Sequence, residues 1–246
     1  LAMLGRIHNY AQFLESFQMA RAAGFSNINV DLMFAIPGQS YDGWIENLQT
    51  VAALGPEHIS AYSLIIEEGT PFFRKKLDLP DEDTEYRMYE DVAAVLKEYD
   101  YHQYEISNYA KAGYECRHNE GYWQRKDYLG LGLGAASLLG MERFSNTADM
   151  QEYLKNSSAP EKIRKNRELL TREDEMAEFM FLGLRMTQGV SKKEFQEYFG
   201  TAIENIYGEV LKKYKKQGLL LEESGRIFLS REGIHVSNAV MAEFLL

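Results

Sequence analysis

Apolar residues fall at three- and four-residue spacing along residues 9 to 23, where Tyr10, Phe13, Leu14, Phe17 and Ala20 line one face. That spacing predicts a helix stopped by Gly24. The period then changes to two. In "NINVDLMF" (27–34), Ile28, Val30, Leu32 and Phe34 alternate with Asn27, Asn29, Asp31 and Met33, as a strand with two unlike faces requires. "IPGQS" reads as a turn, and Asp42 is expected to cap a second helix carrying Trp44, Ile45, Leu48, Val51 and Leu54, ended by "GPE". "HISAYSLI" gives a second strand, "EEGTP" a loop, residues 82 to 99 a third helix and "YHQYEIS" a third short strand. Helices alternating with strands at this spacing predict βα units and a parallel sheet or barrel. The Ile28–Phe34 face would lie against helices, and Asn29 and Asp31 would point into the lumen. Loops after such strands form the usual active face, and "IPGQS", "IIEEGTP" and "SNYAKAGYECRHNEGYW" all lie there.

The pattern changes beyond Gly140. "SSAPEKIRKN" is polar and reads as a link, which places a domain division near residues 155 and 156. Helical spacing returns over 172–186, 191–198 and 201–217. "GLLLEESGRIFLS" then predicts a hairpin turning at Ser224-Gly225, and a last helix starts near Arg231. Helices followed by a two-stranded wing describe a winged-helix-like module.

Composition narrows the function classes. The chain has 246 residues and a formal net charge of -10, which argues against a nucleic-acid scaffold and suits a cytoplasmic protein. The four lysines of "LKKYKKQG" sit at a helix C-terminus, where the helix dipole alone favours them. No apolar run is long enough to predict a membrane span. Cys116 is the only cysteine, so neither an internal disulfide nor a zinc or iron–sulfur site built on several cysteines is expected. "LAMLGRIHNY" reads like the interior of a domain, and a fragment lacking its N-terminal part is the expectation.

Several residues carry candidate chemistry. Asp31 reads either as a ligand-binding carboxylate at a strand end or as an ion-paired lumen residue, because a lumen carboxylate needs a partner. Arg6 could clamp a carboxylate or simply face solvent. "GLGLGAAS" lacks the preceding strand and following helix of a dinucleotide site. "ECRHNEGYW" (115–123), read as a loop, offers a lone histidine beside large aromatics. That combination suits axial ligation of a haem iron, while the residues alone favour the plainer reading of a loop held down by Tyr122 and Trp123.

Taken together, "LGRIHN", "NVDLMFAIPGQS", "HISAYSLIIEEGTP", "YEISNYA", "HNEGYW" and "YLGLGLGAAS" occur in this order. They resemble the oxygen-independent coproporphyrinogen III oxidase-like branch of the radical S-adenosylmethionine (SAM) superfamily, in its HemW-type haem-chaperone form. The resemblance covers nearly the whole chain. It implies an α/β fold: the later part of a partial (β/α) barrel over residues 1–155 and a small winged-helix-like, mainly helical domain over 156–246. It implies a [4Fe-4S] cluster held by a CxxxCxxC-type motif, which this chain does not contain, so the fragment alone should be inactive. It implies SAM contacts at Arg6 and Asp31. "HNEGYW" matches the haem-associated HNxxYW pattern, with His118 as the haem iron ligand or haem-proximal residue and Asn119, Tyr122 and Trp123 shaping the pocket. The implied function is haem binding and delivery to an acceptor, such as a membrane-associated respiratory haem protein. The alternative is SAM-dependent oxidative decarboxylation of coproporphyrinogen III.

Overall fold

The structure, a computed structural model, describes residues 1–246, with the side chain of residue 2 set aside. It contains two compact units, Leu1–Cys116 and Arg117–Leu246.

In the first unit, α1 (Tyr10–Ala22) begins at Asn9, whose side chain accepts from the Gln12 N–H while Gln12 reciprocates to the Asn9 N–H. Such a box satisfies two orphan donors at once. β1 (Asn29–Phe34) follows, then α2 (Tyr41–Ala53). The cap of α2 is Ser40, whose Oγ accepts from Gly43; Asp42, expected in that role, lies inside the first turn, where its charge still favours the helix dipole. β2 (His58–Ser63) pairs parallel to β1 across this βα unit. α3 (Glu82–Lys97) leads to β3 (His102–Glu105) and β4 (Asn108–Ala110).

The sheet order is β1-β2-β4-β3. The expected parallel run therefore stops after two strands. The chain reverses at Ile106–Ser107, and β4 inserts antiparallel between β2 and β3. "YHQYEIS" thus forms one arm of a hairpin. The pleat of β1 follows the period-two reading: Val30 and Phe34 are buried with Trp44, Leu48, Met88 and Val92 under α2 and α3. Trp44 Nε1 is satisfied by the Met88 carbonyl at 3.0 Å, so its indole is buried without an orphaned donor. Asn29 and Asp31 lie on the opposite face and are exposed.

The second unit opens with α4 (Arg117–Trp123), so the stretch read as a loop is helical. β5 (Ala136–Leu139) and β6 (Glu142–Asn146) form a hairpin, followed by α5 (Met150–Asn156) and α6 (Pro160–Ile163). β7 (Arg164–Leu169) pairs antiparallel with β6, giving the order β5-β6-β7. The segment "SSAPEKIRKN", expected as a link, therefore carries a short helix and a strand start. Its polarity misled because β7 is an edge strand, mostly exposed on both faces.

Next come α7 (Arg172–Gly183), β8 (Val190–Ser191), α8 (Lys192–Phe199), α9 (Ile203–Lys216), β9 (Leu220–Glu223), β10 (Arg226–Leu229), α10 (Arg231–His235) and α11 (Ser237–Ala242). This is the winged-helix arrangement with one strand more than expected, since β8 pairs on β10 in the order β8-β10-β9. Ser224 and Gly225, both at positive φ, make the two-residue turn. Gly189 permits β8 to approach β10: a Cβ there would stand 2.0 Å from the Ile227 carbonyl oxygen. Met180, Phe195, Ile203, Leu211, Ile227 and Phe244 form the centre of this core. Among the described residues, no helix is long and apolar enough to cross a membrane.

Candidate functional site

The candidate side chains fall into two groups, one in each unit. On β1, Asn29 and Asp31 are two residues apart and share a face. Asn29 Nδ2 donates to Asp31 Oδ1 at 2.7 Å. The parallel register places Asn29 opposite His58 and Asp31 opposite Ser60. Asn29 Oδ1 lies 2.7 Å from His58 Nδ1 and accepts from Ser60 Oγ at 3.3 Å. His58 is only 5% exposed, and its Nε2 lies 2.8 Å from the Tyr104 hydroxyl. Burial holds the His58 pKa below its ordinary value, against the opposing pull of Asp31 and Glu115. Asp31 is thus an exposed carboxylate backed by a polar row that runs into the sheet. Arg6 is exposed, ahead of α1.

The second group lies on α4. Helical spacing puts His118 and Tyr122 in one row and Asn119 and Trp123 in the next. His118 is exposed, and its ring stands edge-on to Tyr122 at 4.7 Å; Tyr122 in turn meets Tyr128 at 4.7 Å. Trp123 points elsewhere. The Arg185 guanidinium sits 4.3 Å from its ring centroid, and the indole helps line a cavity of about 350 Å³ with Phe179, Met186 and Val190. Trp123 Nε1 is buried without a hydrogen-bond partner. The four motif residues therefore make two clusters on one helix: an open histidine–tyrosine row, and a tryptophan seated against α7 and the turn that follows it.

A seven-residue helix is too short to hold itself, and its end explains how it persists. Lys126 N–H bonds the Gly121 carbonyl at 2.9 Å and Arg125 N–H the Tyr122 carbonyl at 3.0 Å, which is a Schellman closure. The left-handed position of that closure is Arg125, at φ 52°, where glycine would be easier. The side chain accounts for the choice. Arg125 Nε reaches Glu178 at 2.7 Å and its guanidinium reaches Glu175 at 3.1 Å, with all three side chains under 10% exposed. Arg143 joins Glu178 at 2.6 Å. The motif helix is fastened to α7 by this buried ion cluster.

Cys116 is half-buried, and its N–H donates to the Tyr104 hydroxyl at 3.3 Å. Among the described residues, no group of three or more His, Cys, Asp and Glu could hold a metal ion. A [4Fe-4S] cluster does not fit the residues of this chain, which has one cysteine. Sequence reasoning missed His58, Tyr104, Arg125 and Arg185. His58 had a signal: it opens the strand next to β1, in the position that pairs with Asn29. Arg125 had none, because its partners lie some 50 residues away.

Residues 170–236 match the family model of the HemN C-terminal domain. The chain is 37% identical over its whole length to the heme chaperone HemW of Bacillus subtilis (strain 168), covering 66% of that protein. It is 36% identical to the heme chaperone HemW of Lactococcus lactis subsp. lactis (strain IL1403), again over its whole length and 65% of that protein. The chain belongs to the HemW-type radical SAM family. It spans about two thirds of the length of these HemW relatives. Its fold matches the solved coproporphyrinogen III oxidase (HemN) of Escherichia coli, described as a radical SAM enzyme, with a TM-score of 0.81. That likeness covers 99% of this chain and 60% of the other at 18% identity, and it establishes the mixed α/β fold.

Proposed function

We propose that this chain is part of a haem chaperone, which binds haem and passes it to an acceptor protein. The observation that carries the reading is the exposed His118 imidazole on α4, backed by Tyr122 and Tyr128. A neutral imidazole nitrogen is a good axial donor to haem iron, and aromatic edges beside it suit a flat macrocycle. In this reading Tyr122 flanks His118, and Asn119 and Trp123 belong to the neighbouring row of the same helix. The HemW relatives carry the heme-chaperone name and support the same reading.

In this reading Arg6 and Asp31 contact SAM, a cationic nucleoside that an exposed carboxylate can meet through its hydroxyl or amino groups. The [4Fe-4S] cluster would be held by cysteines outside this chain. The acceptor is a haem protein, with membrane-bound respiratory proteins as candidates, and the setting is cytoplasmic.

The test is haem titration of the protein and of His118→Ala, followed at the Soret band. The reading expects a shifted band and affinity weaker by about tenfold in the variant. Equal affinity with an identical spectrum would remove His118 from the site. Incubation of protein extended to the relatives' length with coproporphyrinogen III, SAM and reductant decides the other reading. Formation of protoporphyrinogen would replace the chaperone with a decarboxylase.

A further inference from the structure

The polar row behind Asp31 admits one consistent assignment of donors. A carboxylate oxygen only accepts, so the Asn29 group facing Asp31 must be its amide NH₂, which fixes Asn29 Oδ1 toward His58 and Ser60. His58 Nδ1 must then carry a proton to donate to that oxygen. With the ring neutral, as its burial favours, Nε2 accepts from the Tyr104 hydroxyl, and that hydroxyl accepts from the Cys116 N–H. Every bond in the row therefore points the same way: Cys116 N–H to Tyr104, to His58, to Asn29, to Asp31. The row begins in a backbone amide, crosses a nearly buried imidazole and ends on an exposed carboxylate.

We propose that His58, acting through Asn29, is a positioning residue that holds the Asp31 carboxylate ready for S-adenosylmethionine. The inference rests on the assignment of Asp31 to SAM made above. An exposed aspartate otherwise samples several rotamers and must be ordered when ligand arrives, which costs affinity. Here Asn29 occupies one carboxylate oxygen, and Asn29 is itself fixed by an imidazole that cannot turn without breaking its bond to Tyr104. A hydrogen-bonded support of this kind is what holds binding groups in a productive geometry.

The test is a double-mutant cycle on SAM affinity, measured by equilibrium dialysis with protein extended to the relatives' length and carrying its cluster. His58→Ala and Asn29→Ala should each weaken SAM binding about tenfold, the size expected for a lost bond to a charged group. In the Asp31→Asn background either substitution should change affinity by less than about twofold. His58→Gln, whose amide can both donate to Asn29 and accept from Tyr104, should restore affinity to within about threefold of the parent. Asn29→Ala alters an exposed residue and keeps the test intact where His58→Ala does not fold. Equal effects of His58→Ala or Asn29→Ala with and without Asp31 overturn the inference while leaving Asp31 at the SAM site. Parental affinity in Asp31→Asn overturns both.

Discussion

The two candidate groups are held by opposite means. Asp31 is placed by sheet geometry. Its face is set by the period of β1, its neighbours by the register with β2, and its orientation by a hydrogen-bonded row within one sheet. His118 sits on a seven-residue helix that has no register to rely on. It is fixed by contacts at and just beyond the helix's C-terminal end, through Trp123 and Arg125. Removing one group from the sheet site should disturb orientation more than stability, whereas removing the anchor of the helix site should cost folding energy.

The largest effect is expected at the anchor. Arg125→Met leaves Glu175 with only a distant Arg172 at 3.9 Å and Glu178 with only Arg143, both carboxylates being almost fully buried. Breaking a buried ion pair from one side costs about 3–5 kcal/mol, because the charge left behind is no longer compensated. The measurement is urea unfolding followed by near-ultraviolet circular dichroism. Arg125→Gly separates the two contributions, since glycine relieves the left-handed backbone by about 1 kcal/mol yet removes the same charge. The idea fails if Arg125→Gly is as stable as the parent, for then the ion cluster contributes little and the helix is held by Trp123.

How much of each site is readable from sequence follows from the same contrast. Asp31 and its face were legible because a strand's alternation is local, and Val30 and Phe34 on the buried side announce where Asn29 and Asp31 must point. The motif residues 118–123 were legible only as company for five other stretches. Their helix was not, because seven residues carry too little periodicity and no cap signal precedes Arg117. The strand β7 was hidden for a related reason. An edge strand exposed on both faces shows neither alternation nor an apolar run, so Arg164–Leu169 looks like a solvated link. The reversal at Ile106–Ser107 was hidden as well, since β4 has three residues and nothing marks it apart from the strand it answers. In the C-terminal module, where burial is deep and helices are amphipathic, the hairpin at Ser224-Gly225 was read correctly, while the two-residue β8 and the division of the last helix at Val236 into α10 and α11 escaped.

A smaller effect separates the sites by pH. Unfolded His58 takes up a proton near its ordinary value of 6.5, whereas the folded imidazole resists protonation because it is buried. Between those two values the unfolded chain binds more protons, so stability must rise with pH and fall as pH drops below about 6.5. The loss continues downward until the folded group also titrates, at about 1.4 kcal/mol for each unit separating the two. Asp31 and Glu115 both favour the charged ring and narrow the window. Comparing the pH dependence of the unfolding midpoint in the parent and in His58→Gln isolates the term. Parallel curves from pH 7.5 to pH 5 would mean that His58 is not held neutral, and the one-way row behind Asp31 would lose its direction.

The smallest effect on stability is expected at the residue to which the proposal gives haem. His118 is exposed, and the structure gives it a ring contact with Tyr122 rather than a buried bond. A substitution at such a position changes stability by no more than about 0.5 kcal/mol. The edge-on pair could contribute up to about 0.5–1.5 kcal/mol where solvent is excluded, and exposure reduces that. His118→Ala should therefore unfold within about 0.5 kcal/mol of the parent in the same urea series that unmasks Arg125→Met, while its haem titration changes. A histidine serving only to fasten the helix would show the reverse, with lost stability and unchanged haem affinity. The helix site would then be a packing device like its anchor, and the division between the residue that binds and the residues that hold would disappear.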